Sequence, residues 1–184
     1  PDRVVTPGSG LRLELLGSFG IDPGDGEMLY IRWGGEAGGF LDLTGLNHVL
    51  ALRLYGESLE SLGDRPVPIT ERIALGGAEH LRGFLPGRWR GDSAFVLTVD
   101  YRYPIWSYLD ANIFVSAGNV FQRHWENLHV KRMVLSWGVG MRTNTSREVS
   151  FDLLLAFGTN QMERWGDDFA VDHIRAVFGI NQGF

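Results

Sequence analysis

The sequence predicts an all-β chain whose strands cross a membrane as an antiparallel barrel. Three observations carry that prediction. Apolar and polar residues alternate with a period of two over segments of roughly ten residues, the length of a membrane-spanning strand. The polar side of each segment mixes Gly, Ser, Arg and Asp, which suits a wet interior better than the solvated face of a sandwich. Short and long links alternate between the segments, as they do in barrels with tight turns at one rim and long loops at the other.

The strands follow in order. Leu11, Leu13, Leu15 and Phe19 alternate with Arg12, Glu14, Leu16 and Ser18. Leu29, Ile31 and Trp33 alternate with Tyr30, Arg32 and Gly34, and Leu50, Leu52 and Leu54 with Ala51, Arg53 and Tyr55. From Ala94 to Tyr103, Phe95, Leu97, Val99, Tyr101 and Tyr103 share one face while Val96, Thr98, Asp100 and Arg102 share the other. Ile113 and Val115 then oppose Asn112, Phe114, Ser116 and Gly118. Leu135, Trp137, Val139 and Met141 oppose Ser136, Gly138, Gly140 and Arg142. The last two segments set Phe151, Leu153 and Leu155 against Asp152 and Ala156, and Ile174, Ala176, Phe178 and Ile180 against Arg175 and Gly179. About eight strands result, each longer than the ~5–6 residues usual in soluble sheets.

Composition alone hides this. Charged residues make up 21 % and hydrophobic ones 44 % of 184 residues, and no apolar run approaches the ~20 residues of a membrane helix. A net charge of -5 without a basic stripe excludes nucleic acid as a partner. The absence of cysteine excludes disulfides and thiolate metal sites. Pro1 opens the chain with no leader before it, so a removed signal peptide or a missing upstream part is expected.

Short links are expected at Asp22–Gly26, Pro104–Tyr108 and Asn144–Arg147, and long ones at Glu57–Asp92, Asn119–Met133 and Thr159–Asp172. The Gly-rich stretch Glu36–Asn47 reads as a further, rather long link. Tyr103, Trp106 and Tyr108 gather at one strand end, where an interfacial aromatic girdle would lie. The link at residues 57–92 stands out, because a structureless connection of that length is usually functional.

That link contains Leu81-Arg82-Gly83-Phe84. The tetrapeptide resembles the (V/L)RG(F/Y) hallmark of the sixth extracellular loop in BamA/TamA-type outer-membrane assembly factors, the bacterial surface antigen family. The following strands, reading LTVDYRYPI and IFVSAGNVF, are similar to that family's next two in order and spacing. The resemblance runs from about Gly10 to the end and identifies the chain as the C-terminal half of such a barrel, a single domain over residues 1–184. It implies a loop folded into the lumen, where Arg82 meets acidic residues on the wall. Asp100 stands where the first acidic partner is expected, with Arg102, Ser116 and Gly118 around it; Ser116 replaces the family's second Asp, which predicts a weaker latch or one rewired to Asp110 or Asp152. Phe178, Ile180 and Phe184 resemble the aromatic ending that the assembly machinery reads.

An eight-stranded barrel has an interior just wide enough for side chains and could not also hold this loop. A sixteen-stranded barrel, completed by an upstream half or by a second copy, is therefore expected. The implied function is insertion or transport of other proteins into or across the bacterial outer membrane. The lipid bilayer and unfolded outer-membrane or secreted proteins would be its partners, and no cofactor is called for. The alternative is a pore, or an anchor for a separate, lipase-like domain.

No catalytic constellation accompanies these features. His48, His80, His124, His129 and His173 are scattered, and no G-x-S-x-G elbow is present. Arg90-Gly91-Asp92 spells an adhesion tripeptide of the kind that chance supplies.

Overall fold

The computed structural model of the chain describes residues 9–21, 29–63, 66–122, 125–143 and 149–182. Its strands are β1 (Gly10–Ile21), β2 (Leu29–Asp42), β3 (Val49–Ser61), β4 (Ile73–Leu75), β5 (Trp89–Gly91), β6 (Ser93–Trp106), β7 (Leu109–Phe121), β8 (Val134–Thr143), β9 (Val149–Gln161) and β10 (Val171–Gln182). Eight of them form one antiparallel sheet in the order β1-β2-β3-β6-β7-β8-β9-β10, and β4 pairs with β5 as a separate hairpin. Every neighbour in the large sheet is thus the next long strand in the chain, a meander interrupted once by the segment between β3 and β6.

Paired residues in an antiparallel sheet point to the same face, so the register sorts the side chains. The rows Arg53–Thr98–Ser116–Ser136 and Ala51–Asp100–Phe114–Gly138–Ala156 lie on one face. The intervening rows hold Leu54–Leu97–Ala117–Leu135 and Leu52–Val99–Val115–Trp137–Phe157 on the other. Residues 66–92 fold over the first face, hereafter the loop face, and bury part of it. Ile73, Leu75, Leu81 and Phe84 are 0 % exposed and join Leu59, Val96 and Val134 of the sheet in the main core cluster. The second face stays bare, and Leu52, Val99, Val139, Leu153 and Phe178 are exposed along it.

The expectation of a closed, membrane-spanning barrel is corrected by this topology. The sheet is open: β1 pairs with β2 and β10 with β9, and the two outer strands do not pair with each other among the described residues. Among the described residues the sheet does not close on itself, and the reading of the chain as half of a BamA/TamA-type barrel falls with it. The folded segment explains why eight strands do not close, since their own barrel would leave room for little beyond wall side chains. Among the described residues no helix is long and apolar enough to cross a membrane.

The Gly-rich stretch is likewise not a link. β2 runs through it to Asp42, and the turn that follows is short, its Asp42 carboxylate accepting from the backbone N–H groups of Thr44, Gly45 and Asn47. Glycine inside a strand commonly marks close backbone approach. A Cβ on Gly34 would lie 2.3 Å from the Gly56 carbonyl oxygen. The expected turns at Asp22–Gly26 and Asn144–Arg147 lie outside the described residues.

Candidate functional site

The site is the seat of the tetrapeptide on the loop face. Leu81 turns the chain into it through a left-handed backbone, φ 52°, a strained conformation for a branched side chain. Arg82 then points along the sheet, and its Nη1 donates to Asp100 Oδ2 at 3.0 Å. Both side chains are largely buried, 17 % and 13 % exposed. The guanidinium also lies over the Phe114 ring, 4.7 Å from its centroid, a favourable seat for a desolvated cation. Burial holds the Arg82 pKa below its ordinary value, against the opposing pull of Asp100.

Gly83 comes closest to the sheet. A Cβ there would sit 2.1 Å from the Phe157 carbonyl oxygen, so only glycine fits. Its N–H donates to Ser136 Oγ at 2.7 Å. Arg175 Nη1 donates to the Arg82 carbonyl oxygen at 3.2 Å, tying β10 to the same turn. Phe84 is fully buried against Gly158, whose missing side chain makes its space. Trp89 and His173 meet the Phe84 ring edge-on at 5.7 and 5.2 Å.

Asp100 therefore sits against Arg82. Ser116 does not reach Arg82: it is buried and accepts from Thr98 Oγ1 at 3.0 Å. Asp152 pairs with Arg142, whose Nε lies 2.7 Å from its Oδ1. Asp110 lines a cavity of about 300 Å³ beside the pair, together with Arg102, Arg142 and Arg175. Gly118 is buried, and a Cβ on it would lie 2.4 Å from the Phe95 carbonyl oxygen. Phe178 lies on the bare face and stacks on Phe151 at 6.3 Å, while Phe184 and the side chain of Ile180 lie outside the described residues.

Sequence reasoning missed a second polar contact set. Glu57 is 2 % exposed and accepts hydrogen bonds from Arg32 and from the Tyr55 hydroxyl. His80 stacks on the Tyr55 ring at 4.1 Å, so the loop is gripped on β3 as well as on β6. Burial depresses the His80 pKa. Glu57 and Arg32 could have been found, because both fall on the polar parity of neighbouring strands, two positions out of direct register. Phe114 could not: an aromatic residue on the polar parity carries no sign that it will underlie a guanidinium.

Among the described residues no three His, Cys, Asp or Glu side chains are grouped to hold a metal. Arg90 donates to the Ile69 carbonyl oxygen and Asp92 pairs with Arg72, so the adhesion-like tripeptide is occupied with structure.

Comparison with known proteins places these features in a lineage. The profile of the Omp85 superfamily domain matches residues 1–174. The structure of BamA from Haemophilus ducreyi lacking POTRA domains 1-3 superposes with a TM-score of 0.72 at 18 % identity, covering 97 % of this chain and 40 % of that one. CdiB from Acinetobacter baumannii superposes with a TM-score of 0.59 at 18 % identity, covering 92 % of this chain and 30 % of that one. At such identities the likeness is one of fold, and the chain spans less than half the length of either protein. No curated protein matches it in sequence.

Proposed function

The chain belongs to the Omp85 superfamily, whose members are associated with outer-membrane protein biogenesis, and from that premise we propose that it inserts or transports other proteins at the bacterial outer membrane. In this reading it performs no covalent chemistry of its own, as a member of a superfamily of non-catalytic assembly factors. Its partners in this reading are lipid, met by the bare apolar face, and unfolded outer-membrane or secreted chains.

The observation that carries the proposal is the contact of Arg82 with Asp100 beneath a docked loop. A buried guanidinium–carboxylate pair adds less to raw stability than it does to fixing one arrangement. A polar face that keeps a loop in one place, backed by a largely apolar face, is a scaffold suited to handling other chains between water and lipid. Each proposed partner thus has its own side of the sheet.

The test uses the full chain reconstituted in phospholipid vesicles and a urea-unfolded outer-membrane protein, with folding followed by its gel shift without heating. Faster folding than with empty vesicles is expected, with the gain lost in Arg82→Ala. Equal rates with and without the chain would sink the proposal.

A further inference from the structure

The loop face holds a second cavity, of about 280 Å³, on the β1 side of the Arg82–Asp100 contact. Three neighbouring rows of the register wall it: Arg12–Gly38–Arg53, then Phe40–Ala51–Asp100, then Val49–Arg102. Gly38 and Ala51 are the small residues in the middle of these rows, and they hollow its floor. A Cβ on Gly38 would meet nothing nearer than Arg53 Cγ at 3.6 Å, an ordinary contact. Backbone geometry therefore does not require glycine there. What it preserves is room between Arg12 and Arg53.

The arginines around this room are unequally engaged. Arg12 is held by Glu14 of its own strand, with Nε 3.0 Å from Oε1. Arg82 spends Nη1 on Asp100. Glu36 Oε1 lies 3.9 Å from Arg53 Nη1, an ion pair too long to be a hydrogen bond. Arg102 is exposed at the rim, and among the described residues it has neither an ion pair nor a hydrogen-bond partner. Besides burial, the nearby charges of Arg53 and Arg102 hold the Arg82 pKa down, so three guanidiniums converge around Asp100. With Glu14 included, four arginines face three carboxylates, and the charge left over belongs to Arg102. A chain of net charge -5 thus keeps a locally positive cleft, and a cleft focuses such a field.

We infer that this cavity binds a phosphate-type oxyanion, with Arg102 as its principal donor and Arg53 as its second. A guanidinium carries a planar fork of N–H donors that matches the oxygens of such an anion. Arg53 on β3 and Arg102 on β6 bring two unspent forks to the cavity from different strands. A tetrahedral anion offers strong acceptor oxygens in several directions and so can take both at once. Asp100 and Glu36 oppose its charge, but each is answered by an arginine, and the attraction that remains is that of Arg102. Free phosphate and the phosphate of a monoester share this chemistry. The cavity lies on the opposite side of the sheet from the bare face, and the inference does not depend on the transport role.

The full chain in detergent micelles is titrated calorimetrically with inorganic phosphate and, separately, with glycerol phosphate, at constant ionic strength. Saturable binding of one anion per chain is expected. Arg102→Gln removes a side chain with no partner to lose, so the chain stays folded, and affinity should fall about tenfold. Gly38→Leu fills the floor without changing charge and should weaken binding as well. Arg88→Gln, an exposed arginine outside the cavity, alters net charge equally and should leave binding unchanged. Tighter binding of glycerol phosphate assigns the cavity to a monoester, and equal or weaker binding assigns it to the free ion; both support the inference. Absence of saturable binding by either probe overturns it. So does binding that Arg102→Gln and Gly38→Leu both leave intact, or a loss in Arg88→Gln as large as that in Arg102→Gln. Tighter binding of glutarate than of either phosphate would give the cavity to carboxylates and overturn it too.

Discussion

Arg82 and its neighbours differ in how they hold the loop, and substitution separates them. Asp100→Asn keeps shape and removes charge, leaving a largely buried guanidinium on an aromatic ring with a weaker acceptor. The loss should be about 1–3 kcal/mol of docking free energy, seen as faster protease cleavage between β3 and β6. Unchanged cleavage would refute the latch. Gly83→Ala acts through the backbone, since its methyl would collide with the Phe157 carbonyl, so cleavage should rise more than in Asp100→Asn although no charge changes. Phe84→Ala empties a fully buried site and should cost about 3–5 kcal/mol, read as a shift in the denaturation midpoint. Much at this scale was legible. The parity of Asp100 could be read from alternation, which fixes which side chains share a face, whereas the tetrapeptide stood out only through its resemblance to a family motif. Ser136 and Arg175 could not, since their partners are backbone atoms of a distant loop and leave no trace in composition.

Among the elements, the folded segment between β3 and β6 has two grips of different chemistry. The Arg82 grip is a salt bridge to Asp100. The second passes through His80, stacked on Tyr55 and facing Glu36, Glu57, Glu79 and Arg53. Burial lowers its folded pKa, so the folded loop prefers the neutral ring. Below the unfolded value near 6.5 the undocked form binds a proton that the docked form resists, and docking weakens as pH falls. Protection of the loop from protease should therefore decline from pH 7.5 to pH 5.5 in the native chain. In His80→Phe that decline should flatten, and a slope that persists would assign the effect to another group. The strand spans themselves were legible to within a few residues. The error at β2 arose because its glycines, which read as loop, serve close strand approach instead.

For the whole molecule, the sequence read correctly which residues share a face and misread the closure. Alternation reports only that one side of each strand is apolar. It does not report whether the first and last strands meet, which depends on strand number and on what occupies the loop face. Here the sheet stays open, with β1 and β10 as edges and an apolar face beside them. Unpaired edges and exposed apolar area both favour self-association in water. The chain should therefore precipitate when detergent is diluted below its micelle concentration and remain dispersed above it, as light scattering would record. A clear, monomeric solution without detergent would contradict the role given to the bare face. The meander has a kinetic consequence as well. Every other neighbouring pair is joined by a connection much shorter than the segment between β3 and β6, across which Ser58 must meet Ser93, and closing a longer loop costs more chain entropy. The three-stranded N-terminal piece and the five-stranded C-terminal piece can each zip up locally, and their joining is the late step. The Arg82 turn is covalently part of that bridge and contacts β6, β8, β9 and β10, so it can act as a splint that draws the two pieces together.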